Sequence, residues 1–220
     1  LQELTHSQAY VDVISGASAG GVNGAALAMS SIYDTSLYSL RDIWLEKGAF
    51  DQLLRNSSEQ DPPSLLDGDG YFLKELQEAF ARLASKTPAR SPKDHHIDLS
   101  LATTRLHGSH KTHLDDLGAP VEDASHRARF HYVRNKTKDD FKNSEALVER
   151  LSRAARASAS FPIAFEPFLC DPSELADGSQ SANSGERSPK VHLMDGGILD
   201  NKPFDHAIRG IIGNTQPNHS

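Results

Sequence analysis

A chain of 220 residues with a formal net charge of −7 is large enough for one domain with a real core, and 37% of its side chains are hydrophobic. The surplus of acid excludes nucleic-acid binding by phosphate neutralisation, which needs excess lysine and arginine, and gives an anionic membrane little net attraction. The single cysteine, Cys170, excludes an internal disulfide and fits a reducing, cytoplasmic compartment, and no apolar run approaches the roughly 20 residues that span a bilayer.

The chain opens at Leu1 without a methionine or a charged-then-apolar leader and soon enters an apolar run that reads as an internal strand. It therefore reads as a piece cut from a longer chain. Residues 10–15 (YVDVIS) are rich in β-formers, a glycine-rich turn follows, and AALAMSSIY favours helix. A second helical stretch, SLYSLRDIWLEKGAF, places Leu37, Leu40, Ile43 and Trp44 near one stripe, with Gly48 at its end, and reads as a core-facing helix. Turn formers crowd residues 55–70, YFLKELQEAFARLA resumes the helical pattern, and residues 85–94 form a polar link.

Two strand candidates come next, IDLSLATT and ARFHYVRN, separated by a histidine- and aspartate-rich stretch over residues 105–128. A helix from residue 144 to about 159 ends near Phe161 and Pro162. Residues 171–190 are polar and read as a surface insertion, after which VHLMDGGILDNKPFDHAIRGII reads as strand, glycine turn and helix. Strands alternate with helices and no internal repeat is present. The expected architecture is a single α/β domain over residues 1–220, a three-layer α/β/α sandwich with a mostly parallel central sheet.

Gly16-Ala17-Ser18-Ala19-Gly20 is a G-x-S-x-G pentapeptide, standing where a β-run ends and a helical run begins. That is where a nucleophile elbow puts its serine, with Gly16 and Gly20 leaving room for a strained turn and the Ala19 N–H offering an oxyanion donor at the positive end of a helix. The same sequence also suits a strand-to-helix turn that binds nothing. A phosphate loop fits poorly, because Gly21-Val22-Asn23-Gly24 brings no lysine, and the glycines do not give G-x-G-x-x-G. A serine nucleophile needs a base, either histidine backed by an acid or a carboxylate acting directly. Asp195, after the run VHLM and before Gly196 and Gly197, lies at a strand end where the backbone can turn sharply. In a parallel sheet the two strand ends would share one rim, although a helix N-cap or turn aspartate satisfies the same pattern.

These residues resemble the patatin-like phospholipase family. GASAGGVNG is similar to that family's nucleophile elbow, DGGILDNKP to its aspartate turn, and SRAARASASFPIAFEPF to the helix and proline turn before the aspartate strand. The resemblance implies a patatin-like α/β fold with a Ser-Asp dyad, Ser18 as nucleophile and Asp195 as general base. The implied partner is a lipid ester, a phospholipid at a membrane surface, with the protein peripheral to that membrane and needing no metal or organic cofactor. One departure stands out. The family builds its oxyanion hole from a glycine-rich loop upstream of the nucleophile, yet Gly16 is the sole glycine among the 17 residues before Ser18. The first strand and that loop are therefore expected to be lacking, and one lost donor typically costs about 3 to 4 kcal/mol of transition-state stabilisation.

Other constellations read more blandly. His107, His110 and His113 with Asp115 and Asp116, and the pair His95-His96, are expected in solvated loops rather than around a metal. His206 would complete a serine, acid, histidine order as a small-ester hydrolase, but the pattern after Lys202 and Pro203 places it on a surface helix. Asp200 and Asn201 are expected to shape the turn. Arg153 and Arg156, one helical turn apart, suit either a phosphate headgroup or pairing with Glu149 and other acids. Phe161, Ile163, Phe165 and Phe168 suit core packing or an acyl pocket. A non-catalytic lipid-binding domain is the remaining class.

Overall fold

The structure is a computed structural model and describes residues 10–38, 41, 44–45, 48–89, 91, 95–114, 117–142, 144–176 and 189–215. The first strand, β1 (Val13–Gly16), runs into helix α1 (Ala19–Tyr33), whose run of alanines favours helix and presents Val22, Ala25, Ala26, Met29 and Ile32 to the core. A single turn, α2 (Phe50–Leu53), and a π-helical turn (Gly68–Phe72) lead into α3 (Leu73–Leu83), which buries Leu76, Ala79, Phe80 and Leu83 at helical spacing. Strands β2 (Ile97–Leu114) and β3 (Pro120–Arg134) are followed by α4 (Ser144–Ser158) and a short strand, β4 (Phe168–Cys170). Then come β5 (Val191–Asp195), the turn α5 (Gly197–Asp200) and α6 (Phe204–Thr215).

The long strand β2 organises the sheet. β3 pairs with one edge of β2, while β1 and β5 share the other, β1 opposite Asp98–Leu101 and β5 opposite Thr103–Arg105. β4 lies outside β5. Successive residues of β1 point to opposite faces, and the helices follow suit. Gly24 of α1 faces Ile14 and Leu99, whereas Gly210 of α6 faces Val13 and Asp98, so α1 and α6 lie on opposite sides of the sheet. The main core is on the α1 side, joined by Leu147, Leu151 and Ala154 of α4 and by Phe130 and Tyr132 of β3.

The α/β class and its layers are as the sequence implies, and the sheet is mixed. Among the described residues, parallel pairing is confined to β1–β2; the β2–β3, β2–β5 and β4–β5 pairs are antiparallel. Parallel neighbours need a crossover of a dozen or more residues, and only residues 115–119 separate β2 from β3. The expected loop over residues 105–128 is instead largely strand. Pairing continues past an irregularity between Thr104 and Ser109 out to Leu114 opposite Pro120. Both faces of this ribbon meet water around His107 and His110, so it lacks the apolar alternation by which a half-buried strand is recognised.

The second helical stretch is only partly described. Leu40 and Ile43 lie outside the described residues, Leu37 is exposed, and Trp44 is half-buried with its Nε1–H donating to Asn23 Oδ1 at 2.9 Å. Of the polar insertion, residues 177–188 lie outside the described residues. Its beginning forms a 3-10 turn, Pro172–Glu174, capped by Asp171, which accepts from Ser173 N. Among the described residues, no helix is long and apolar enough to cross a membrane.

Candidate active site

β1 and β5 approach one another along the same edge of β2 from opposite directions. β1 ends at Gly16 opposite Leu101, and β5 ends at Asp195 opposite Thr103, leaving only Ala102 between them. The two strand ends therefore meet head to head, and not on the shared rim that parallel strands would give. This brings together residues 177 positions apart: Ser18 Oγ donates to Asp195 Oδ2 at 2.7 Å.

Ser18 has φ 56° and ψ −134°, a conformation costly for any residue with a side chain and found where surrounding contacts enforce it. Those contacts come from the end of α4. Ser158 O accepts both Ser18 N–H and Gly196 N–H at 3.1 Å, and Ser160 O accepts Asp195 N–H at 2.9 Å. Ser158 Oγ donates to Ala102 O at 2.7 Å and accepts a second, longer bond from Ser18 N at 3.2 Å. The last carbonyls of a helix lack intrahelical donors, and here the strand ends supply them. Ser158 and Ser160 carry this scaffold, which the sequence pattern of a helix and turn does not reveal.

The glycines divide differently from expectation. A Cβ on Gly16 would lie 2.6 Å from the carbonyl carbon of Gly20, and one on Gly21 would lie 2.7 Å from Ser158 Oγ. Gly20, the second glycine of the pentapeptide, has open space in that direction. Tight packing thus falls on Gly16 and Gly21, while Gly20 leaves solvent-facing room beside Ser18. At the aspartate turn, a Cβ on Gly196 would overlap the Ala102 carbonyl oxygen.

Asp195 is 2% exposed, so its carboxylate is held by fixed partners. Gly197 N–H donates to Oδ1 at 2.7 Å, leaving Oδ2 for the serine, and Thr104 Oγ1 donates to the Asp195 carbonyl at 2.9 Å. Asp195 thus caps its turn and faces the serine at once. The amides of Ala19 and Gly20 open α1, and no acidic side chain lies in its first turn to neutralise the helix dipole. Ser18 N–H is committed to Ser158, whereas Ala19 N–H has no hydrogen-bond partner among the described residues.

The remaining candidates lie elsewhere. His206 Nε2 is 3.4 Å from Asp200 Oδ2, and the Ser18 hydroxyl donates to Asp195 instead. Arg153 pairs with Glu174 at 3.1 Å rather than with Glu149. Arg156 is fully buried between Glu166 and Asp69 and donates to Ser160 Oγ at 2.6 Å. Phe168 is in the core and Phe165 stacks on Phe72, whereas Phe161 and Ile163 are exposed, so the four do not form one pocket. His95 is buried against Ser31 Oγ at 3.1 Å, contrary to the loop expectation. Asp115 and Asp116 lie outside the described residues, as does the His113 side chain. Among the described residues, no group of three His, Cys, Asp or Glu side chains could hold a metal.

A sequence model of the patatin-like phospholipase family matches residues 1–208, which takes in both strand ends and the α4 scaffold. This chain belongs to the patatin-like phospholipase family. Among curated proteins it is similar to the "Uncharacterized membrane protein Rv3479" of Mycobacterium tuberculosis (strain ATCC 25618 / H37Rv). The two are 35% identical over 217 residues, covering 92% of this chain and 19% of that protein. The chain thus spans about a fifth of its relative's length. No solved structure matches.

Proposed function

We propose that this chain is a lipid acyl hydrolase, a phospholipase A-type serine carboxylic ester hydrolase working through a Ser18–Asp195 dyad. The observation that carries this reading is the 2.7 Å hydrogen bond from the hydroxyl of a backbone-strained serine to a buried aspartate. Ser18 Oγ attacks the ester carbonyl carbon while its proton passes to Asp195 Oδ2. The tetrahedral oxyanion accepts a hydrogen bond from Ala19 N–H at the head of α1. Collapse breaks the bond to the alcohol, which takes the proton from Asp195 and leaves an acyl-serine. Water then attacks the acyl carbon, Asp195 receives its proton, and the fatty acid departs as Ser18 is reprotonated.

Fixed partners make the aspartate suited to this work. Gly197 N–H anchors Oδ1, so Oδ2 stays aimed at the serine and no imidazole is needed between them. The substrate class, a phospholipid met at a membrane surface, is in keeping with the family, and the relative's name calls that protein a membrane protein. Ser18→Ala and Asp195→Asn should each reduce fatty-acid release from phospholipid vesicles by about a thousandfold or more, the scale on which dyad and triad members act. Release at the unmutated rate by either variant would overturn the assignment.

A further inference from the structure

On the α6 side of the sheet, away from the main core, lies a cavity of about 160 Å³ lined by Arg127, Ala128, Arg129, Ala176 and His206. Water occupies roughly 30 Å³ per molecule, so the space suits a tetrahedral oxyanion with room for water. Arg127 and Arg129 are alternate residues of β3, and their side chains leave the same face of the strand. Two contacts fix the wall: Arg129 Nη1 donates to Ser100 Oγ at 3.0 Å, and Ala176 N–H donates to the Arg129 carbonyl at 2.9 Å.

His206 lines the cavity from the first turn of α6. Its Nε2 faces Asp200, and its Nδ1 is buried with no hydrogen-bond partner among the described residues. Water does not reach that atom, so another part of the ring lines the cavity. Burial, then the positive charge of Arg129, pushes the imidazole below its ordinary range; Asp200 and Asp205 pull the other way, and Arg209 adds to the depression. Asp205 is itself paired with Arg209 at 3.0 Å, so Asp200 is the acid that directly faces the ring.

In the ladder the cavity is near the reaction centre but on the other face of the sheet: Arg129, opposite Ala102, turns to the α6 side, and Asp195, opposite Thr103, turns to the α1 side. Ala102 is the β2 residue between the two strand ends, and α5 links Asp195 to Asp200. With adjacent strands about 4.8 Å apart, β3 and β5 lie roughly 10 Å apart across β2.

We propose that this cavity is a phosphate-type oxyanion site, in which Arg127 and Arg129 donate guanidinium N–H groups and the His206 ring adds positive charge to the wall on taking up a proton. The anion chemistry stands by itself, and only its source as a phospholipid headgroup, rather than free phosphate, rests on the hydrolase reading. Binding draws a proton onto His206, so a ligand whose own charge is constant binds more tightly as pH falls from 7.5 to 5.5.

The test uses the full chain isotopically labelled at histidine, following the His206 ring by NMR at constant ionic strength. The additions are inorganic phosphate and, separately, glycerophosphoglycerol, a soluble deacylated headgroup diester, with sodium chloride as the blank. A saturable His206 response and an upward move of its titration midpoint are expected, with binding about tenfold weaker in Arg127→Gln. Arg127 is exposed, so that variant leaves the core intact, and Arg129→Lys provides a second reading of the same wall. A response to the diester assigns a lipid headgroup; a response to inorganic phosphate alone assigns free phosphate. No saturable response, an equal response to chloride, or one undiminished in Arg127→Gln would overturn the site. Ser18→Ala should bind the anion normally. Loss of lipid hydrolysis with anion binding intact would count against the hydrolase alone, and the converse against the anion site alone.

Discussion

At Ser158 one carbonyl and one hydroxyl tie the end of α4 to the strand ends that carry Ser18 and Asp195 and to the β2 residue between them. Ser158→Ala removes the donor to Ala102 O and leaves that carbonyl unpaired in a buried place. The variant should lose about 1 to 2 kcal/mol of stability, read from the urea midpoint. Because the Ser158 hydroxyl accepts from the Ser18 N–H and so helps hold the elbow, its loss should lower kcat with little change in KM. An unchanged kcat would mean that the elbow holds its strain without this hydroxyl. The pairing of Ser18 with Asp195 was legible in the sequence because each stands beside glycines at a strand end and a hydroxyl and a carboxylate suit one another as donor and acceptor. The Ser158 and Ser160 carbonyls were not, since any residue supplies a backbone acceptor. Gly20 was misread for a related reason: the pentapeptide shows where glycines stand but not which one meets backbone, and the close approach is at Gly16 and Gly21.

The loop after α4 carries the second strained residue of interest. Ile163 has φ 72°, is 87% exposed, and is pinned where its carbonyl accepts Leu65 N–H at 3.1 Å while Ala164 O accepts Leu66 N–H at 2.8 Å. A β-branched residue in the left-handed region costs about 1 to 2 kcal/mol, and glycine gives back roughly 0.5 to 1 kcal/mol through unfolded-state entropy. Ile163→Gly should therefore gain up to about 1 kcal/mol, because hardly any buried surface is lost. A melting temperature lowered by several degrees would contradict this. Helices α1, α3 and α4 and strand β1 were legible from propensity and periodicity. The β2–β3 ribbon was not, because its outer part is wet on both faces, and neither was the direction of β5, because residue pattern is blind to strand polarity. The short strand β4 owes its pairing to β5 and has too few residues to announce itself.

For the whole molecule, Glu166 cross-links segments far apart in the chain. It pairs with Arg55 and with the fully buried Arg156 at 3.2 Å each, accepts Ser64 Oγ–H at 2.6 Å, and accepts Asp69 N–H at 2.9 Å. Burial would raise its carboxyl, but the Ser64 hydroxyl, backbone donors and Arg156 outweigh burial and hold it down at about 2, against an ordinary value of 4.5. The folded state thus binds this proton more weakly than the unfolded state does. The contribution is present above pH 4.5, up to about 3 kcal/mol before the offset from burying Arg156, and is lost as pH falls toward 2. Glu166→Gln should be less stable at pH 7 and show a flatter acid limb between pH 4.5 and 2 in urea midpoints; parallel profiles would contradict the linkage. At this scale the order of three motifs made the family legible, and charge and composition did not. What the sequence could not display is how opposed strands share one edge of β2, since that follows from pairing partners distant in the chain.

The measurement that bears most directly on the dyad is labelling with a fluorophosphonate probe, with the adduct located by mass spectrometry. Ser18 Oγ should displace fluoride from phosphorus and carry the adduct, and Asp195→Asn should label at least a hundredfold more slowly, for want of the proton acceptor 2.7 Å away. An unlabelled Ser18, or labelling at an undiminished rate in Asp195→Asn, would contradict the account.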